Sequence, residues 1–325
     1  MATKNLVLAI PAMMAAGLAA GLAFDASPLK ALIVPLTFLM VYPMMVTLRA
    51  AEVLRGGDAK AQILTQALNF GAIPFLAFGL GQAFFPGNPY LCLGLLLAGL
   101  VPTSGMTISW TGFAKGNLAA AVKMTVIGLV LGSLATPFYV QILLGAKIPM
   151  ELAAVFQQIG LIVFLPMLAG QLTRRLLVRR YGAAEFKRRL APRFPAMATA
   201  GVLGIVFIAM ALKARAIAAA PEMLLGILAP LAILYAVNYG LSTLLGRMLL
   251  PRGDAVAMVY GSVMRNLSIA LAIAMNAFGP QGSDAALVIA LAYVLQVQSA
   301  AWYVRFSDRL LGPPEPEGEP ARETA

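Results

Sequence analysis

The sequence contains no histidine and only one cysteine, Cys92. Histidine is the commonest proton shuttle and metal ligand in proteins, so its absence removes much acid–base and metal chemistry. A lone cysteine excludes a disulfide framework and a multi-cysteine metal site. The sequence also has no nucleotide-binding glycine loop and no carboxylate in the middle of an apolar segment. We therefore expect no cofactor, no metal site and no enzymatic activity.

Charged residues are scarce as well, at 11% of the chain, whereas a soluble domain carries roughly 25%. Hydrophobic residues make up 61% and the mean hydropathy is +0.86. This composition predicts an all-α integral membrane protein. Ten apolar segments are near or above the ~20 residues needed to cross the hydrocarbon core. They are residues 5–24, 29–49, 65–86, 89–112, 116–143, 152–173, 194–213, 221–248, 254–278 and 284–307.

The basic residues orient these spans. Of the 24 lysines and arginines, 18 lie at the termini or in the loops on the side of the termini, four lie on the opposite side, and Lys123 and Arg265 lie within spans. The positive-inside rule then places both termini in the cytoplasm of an inner-membrane protein. The basic segment 174–193 suits a surface of anionic lipids, and the net charge of +11 does not indicate nucleic acid.

Two of the predicted spans are interrupted by polar and helix-breaking residues. Gly99–Trp110 contains a proline, two glycines and four hydroxyl side chains, and Tyr260–Ser268 interrupts the ninth span in a similar way. Irregular backbone inside a membrane must be packed in protein or line a polar cavity. Breaks at matching places in two halves of five spans predict two inverted repeats with the binding site of a secondary transporter between them.

The segments Pro102–Asn117 (PTSGMTISWTGFAKGN) and Met264–Ala274 (MRNLSIALAIA) resemble the bile acid:sodium symporter superfamily, in particular the branch that contains the arsenite permeases. The resemblance implies that broken helices 4 and 9 cross in a core domain and that substrate binds between this domain and a panel domain. Residues 1–64 and 147–216 would form the panel, with helices 1–2 and 6–7. Residues 65–146 and 217–311 would form the core, with helices 3–5 and 8–10, and residues 312–325 a disordered acidic tail.

The sequence departs from the family pattern at the positions that bind sodium in sodium-coupled members. The resemblance aligns Thr107, Ile108, Ala121, Thr125, Gly261 and Arg265 with those ligands. Hard cations need several oxygen ligands, so these residues predict a sodium-independent protein. At the positions that the arsenite permeases use, the resemblance aligns Thr103 with a cysteine and Ser268 with a glutamate.

Arg265 is the sharpest functional signal because it lies eleven residues after residue 254, roughly 16 Å into its helix. An arginine at that depth faces a cavity or a partner. It can bind substrate, bond to carbonyls freed by the opposite break, or do both. Lys123 is expected to replace a sodium ion with a fixed positive charge, to exchange a proton, or to snorkel to the surface. The residues predicted to bind substrate or couple transport are Arg265, Lys123, Thr103, Ser104, Thr107, Thr125, Ser262, Asn266, Ser268, Asn238 and Gln296.

These features predict a sodium-independent secondary transporter that moves a small anionic organic solute by alternating access. Two basic side chains and two helix N-termini make the membrane centre positive, which favours an anion. An arsenite or metalloid efflux permease is the first alternative, and a sodium-coupled, bile-acid-like symporter of organic anions is the second. A membrane sensor with a transporter fold would need a large soluble domain, which the short tail does not supply. The oligomeric state is left open.

Overall fold

The computed structural model of the protein describes residues 2–48, 58–101, 103–148 and 152–314. Within these residues the chain is helical and contains no strand. The tail predicted to be disordered lies outside the described residues from position 315 onward. The helices, in chain order, are α1 (Ala2–Ala23), α2 (Ser27–Thr47), α3 (Ala59–Phe84), α4 (Pro89–Leu100), α5 (Gly105–Phe113), α6 (Leu118–Leu144), α7 (Val155–Tyr181), α8 (Phe194–Ala219), α9 (Glu222–Leu249), α10 (Arg252–Val263), α11 (Leu267–Ala277) and α12 (Gly282–Leu311).

Eight helical segments of the described chain are long and apolar enough to cross a membrane, counting α10 with α11 as one segment. A ninth results when α4 and α5, which bend by 56°, are taken together, and α1 contributes a shorter apolar stretch, Leu8–Ala23. The prediction of an all-α membrane protein is therefore confirmed, whereas the ten-span inverted repeat stays a prediction.

The helices pack in two sets. α1, α2, α7 and α8 contact one another in the order α1–α8–α2–α7, and the remaining helices pack around α10, α11 and α12. The segment Arg252–Ala277 is the centre of the second set. All residues of its most apolar 18-residue stretch are buried, whereas the corresponding stretches of the other seven spanning segments are 33–67% buried. Contacts of α12 with α1 and α8, and of α11 with α2, join the sets. The panel and core division itself stays a prediction.

Helices α3 and α8 extend beyond the bounds that the hydropathy pattern predicts. α3 begins at Ala59 rather than at residue 65, so Asp58 stands at its N-terminus. α8 continues to Ala219 rather than to residue 213, which places Lys213 inside a helix. The cause is that polar helix ends outside the hydrocarbon add little to an apolar window, so hydropathy underestimates helix length.

Candidate functional site

The second break separates α10 from α11, and its freed carbonyl groups are bonded by side chains of neighbouring helices. A helix end leaves carbonyls without an internal partner, and in a fully buried helix water cannot replace that partner. Two of these carbonyls accept side-chain hydrogen bonds: Gly261 from Asn69 Nδ2 at 3.1 Å and Ser262 from Asn238 Nδ2 at 3.1 Å. The carbonyl of Tyr260, which already accepts from the Met264 amide, also accepts from Thr107 Oγ1 at 3.3 Å. Ser262 Oγ in turn donates to Asn238 Oδ1 at 2.7 Å. These side-chain hydrogen bonds stabilise the interruption between α10 and α11.

The first break separates α4 from α5, and a side chain within it forms hydrogen bonds to the main chain of α6. Thr103 has a φ of 57°, which is an unusual conformation for a β-branched residue. Its hydroxyl lies 3.2 Å from the carbonyl oxygen of Met124 and 3.3 Å from that of Thr125, both in α6. Ser104 then caps α5 by accepting a hydrogen bond from the amide of Met106 at 3.2 Å. Thr103 and Ser104 thus fix where α5 begins.

The two breaks meet at one main-chain hydrogen bond, in which the amide of Asn266 donates to the carbonyl of Val101 at 2.9 Å. Beside it, Gln296 of α12 makes a two-point contact with the main chain of Arg265. Gln296 Oε1 accepts from the Arg265 amide at 2.9 Å, and its Nε2 donates to the Arg265 carbonyl at 3.1 Å. The hydroxyl of Tyr235 donates to the same Oε1 at 2.9 Å. We call this arrangement of Gln296 and Tyr235 on Arg265 the amide clamp.

The guanidinium of Arg265 is the unusual group of the crossing. The residue is 2% exposed, and none of its three side-chain nitrogens has a hydrogen-bond partner among the described residues. Burying a charge without a partner is costly, and a guanidinium stays protonated in proteins. Arg265 is among the residues that line a cavity, so a molecule bound there would lie beside a buried guanidinium whose donors have no partner among the described residues.

The cavity has a volume of about 750 Å³ and lies between α2 and α8 on one side and α5, α6 and α11 on the other. It opens beside Lys187, an exposed residue of the basic segment. Apolar side chains form most of its wall, among them Met44, Val122 and Val202. The N-terminal residues of α5 and α11 also line it, and helix N-termini carry partial positive charge.

Ten of the eleven predicted site residues divide into two groups by position. Five line the cavity: Arg265, Asn266, Ser268, Ser104 and Thr125. Five others form hydrogen bonds around the breaks without lining the cavity, four of them to main chain (Thr103, Thr107, Asn238 and Gln296) and Ser262 to the Asn238 side chain. Sequence reasoning missed Tyr293, which lines the cavity and whose hydroxyl lies 2.5 Å from that of Ser268. The sequence offers no signal for it, because an aromatic residue in a spanning helix usually packs or anchors.

Lys123 lies on a different face of α6 from the cavity. Its ammonium contacts Asp58 Oδ1 at 2.8 Å, and both side chains are 6% exposed. The apolar neighbours of Lys123 along its own helix gave no reason to expect a carboxylate. The partner comes from α3, whose first turn begins before the predicted span. Cys92 is not among the residues that line the cavity, and its sulfur lies 3.5 Å from Gln82 Nε2 in α3.

Comparison with known proteins identifies the family of the chain. A sequence profile of the Sodium Bile acid symporter family matches residues 34–220. The chain belongs to this family. It is 26% identical to the arsenical-resistance protein Acr3 of Alkaliphilus metalliredigens over 292 residues, which cover 84% of this chain and 80% of the relative. It is 25% identical over 235 residues to YocS of Bacillus subtilis, described as an uncharacterized sodium-dependent transporter, covering 71% of this chain and 69% of the relative.

The resemblance read from the two broken helices is therefore confirmed at the level of the family and of its arsenite-permease relatives. The chain is a multi-pass membrane transporter of this family, and the family and its relatives are transporters rather than enzymes.

Proposed function

We propose that the protein is a sodium-independent secondary transporter of a small anionic organic solute. The observation that carries this proposal is the buried guanidinium of Arg265, a residue that lines the cavity and whose side-chain nitrogens have no hydrogen-bond partner among the described residues. Carboxylate and phosphate groups match the fork of donors that a guanidinium presents. An anion at this point would supply both the missing charge and the missing acceptors. The first turns of α5 and α11 would add to the attraction.

The cavity favours an organic anion over a small inorganic one. Its volume of about 750 Å³ lies within the usual range of roughly 300–1,000 Å³ for small-molecule sites. Its walls are mainly apolar, which suits a solute with a hydrocarbon body and an anionic group at one end. In this proposal Ser104, Thr125, Asn266 and Ser268 orient the anionic group beside Arg265.

Sodium coupling is disfavoured by the small number of side-chain oxygens at the aligned positions. Only Thr107 and Thr125 supply one there, whereas a hard cation needs several oxygen ligands. Arg265 stands where the family resemblance aligns a sodium ligand. For Lys123 we keep the proposed role of an ammonium in place of a sodium ion. Because Asp58 pairs with it, Lys123 adds no net positive charge to the proposed anion site, contrary to the expectation of two positive charges at the membrane centre.

An arsenite permease remains the second candidate, because a relative over 84% of the chain is named an arsenical-resistance protein. Soft thiolates are the expected ligands of arsenite, as of other soft centres. The one cysteine of the sequence lies outside the cavity lining. This position favours the organic anion.

The proposed architecture is the ten-span inverted repeat in an inner membrane, with both termini in the cytoplasm. Panel helices α1, α2, α7 and α8 would move against the other helices in alternating access. Because the cavity opens beside the basic segment, this conformation would face the cytoplasm. Anionic lipids would bind the same segment.

The proposal is tested with purified protein in two steps. Thermal stabilisation is measured with benzoate, 2-oxobutyrate, cholate, arsenite and sodium chloride, and the stabilising solute is then followed into proteoliposomes with and without a sodium gradient. We expect stabilisation by an organic anion and uptake that does not depend on sodium. Stabilisation by arsenite alone would favour the second candidate, and uptake that requires a sodium gradient would refute sodium independence.

A further inference from the structure

Gln296 is a polar side chain that contacts the proposed anion site only through the main chain of Arg265. It does not line the cavity, yet it makes two hydrogen bonds to the main chain of Arg265, the residue on which the proposed anion site depends. Both amide atoms are used, because Oε1 also accepts from Tyr235. The residue is fully buried, so no water competes for these bonds.

A carboxylate at the same position would satisfy most of this geometry. It would still accept from the Arg265 amide and from the Tyr235 hydroxyl, and would lose only the donation to the Arg265 carbonyl. It would, however, bring a negative charge to the residue that bears the guanidinium. In a buried site such a charge attracts the guanidinium strongly, and the arginine would pair with it. An anion entering the cavity would then meet an already neutralised cation.

We propose that Gln296 is a specificity-determining residue, which positions Arg265 through its main chain and, by being neutral, leaves the guanidinium charge available to an anion. This inference rests on the proposed function. The other polar side chains that bond at the crossing are neutral too: Tyr235, Asn238, Ser262 and Asn266. Arg265 is thereby the source of net charge at the point where the two breaks meet.

The first test uses two ligands of nearly the same shape and opposite charge, benzoate and benzamidine. Binding of each is measured by titration of the purified wild type, Gln296→Glu and Gln296→Met. The wild type should prefer benzoate. Gln296→Glu should bind benzoate roughly tenfold more weakly or worse and lose the preference for an anion. Gln296→Met removes the clamp without adding charge, so its affinity should fall while its preference for benzoate over benzamidine remains. Equal benzoate affinity in the wild type and Gln296→Glu would overturn the inference.

A second test needs no ligand and therefore separates this inference from the proposed function. The thermal midpoint is compared between wild type and Gln296→Glu, and again between Arg265→Met and the double variant. A buried carboxylate needs a counter-charge, so Gln296→Glu should lower the midpoint much more when Arg265 has been replaced. Equal lowering in both backgrounds would mean that position 296 does not act on the guanidinium. If no carboxylate binds the wild type, the proposed function fails, and this comparison still decides the role of Gln296.

Discussion

Replacing Asp58 by asparagine should destabilise the protein by about 3–5 kcal/mol, the range for removing one partner of a buried ion pair. The carboxylate lies 2.8 Å from the Lys123 ammonium, and both side chains are 6% exposed. At that distance the direct attraction is about 6 kcal/mol with an effective dielectric constant of about 20. Asparagine keeps an acceptor for the ammonium, so the expected loss is smaller than the full attraction. Asp58 has a φ of 57°, a conformation that asparagine tolerates well, so the substitution changes charge without adding backbone strain.

The free energy of unfolding is measured by detergent titration in mixed micelles. Glu185→Gln is the matched control, because Glu185 pairs with Arg188 at 2.8 Å and with Arg189 at 2.9 Å, and both arginine side chains are at least 70% exposed. Such a surface pair should be worth about 0–1 kcal/mol. The double variant Asp58→Asn with Lys123→Met should recover most of the stability, because it leaves no buried charge without a partner. A loss for Asp58→Asn no larger than that for Glu185→Gln would refute the reasoning.

Three further predictions follow from the packing and the contacts. Gly21→Ala would place a methyl group 2.1 Å from a carbonyl oxygen of α8 and should lower the free energy of unfolding by about 1–3 kcal/mol. In the control Gly226→Ala the added methyl group meets nothing within 4 Å, so the thermal midpoint should stay unchanged or rise. Cys92→Ala should keep the affinity for the stabilising organic anion within about twofold, since a buried residue outside the cavity acts through packing; lost affinity in a folded variant would contradict this placement. The Lys213–Asp284 ion pair joins α8 to α12 at 2.7 Å. Its removal should increase deuterium uptake in the first turns of α12 with no change in α5, because local opening follows lost contacts. Unchanged uptake in α12 would mean that the pair does not hold these helices together.

The broken helices were predictable because their sequence conflicts with their surroundings. Gly99–Trp110 and Tyr260–Ser268 place helix-breaking and polar residues inside apolar segments, and the structure ends helices there, at Leu100 and Val263. The burial of Arg265 was predictable for the same reason, since the residue lies well inside one apolar segment. Both conclusions need only local sequence and the thickness of a membrane.

The partners of these residues were not predictable, because they depend on contacts between distant parts of the chain. Asp58 lies outside the ten apolar segments, because hydropathy does not register the polar first turn of α3. The role of Gln296 depends on the register of α12 against the second break, 31 residues away. Tyr293 and Ser268 meet only when α11 and α12 pack. Sequence spacing along one helix cannot place such pairs.

The central claim is that Arg265 binds the anionic group of the solute, and affinity in Arg265 variants tests it most directly. The dissociation constant of the stabilising organic anion is measured for the wild type, Arg265→Lys and Arg265→Met, with Arg247→Met as the control at an exposed arginine. We expect Arg265→Met to abolish binding, Arg265→Lys to weaken it because an ammonium lacks the guanidinium fork, and Arg247→Met to leave it unchanged. Binding of equal strength in a folded Arg265→Met protein would contradict the claim.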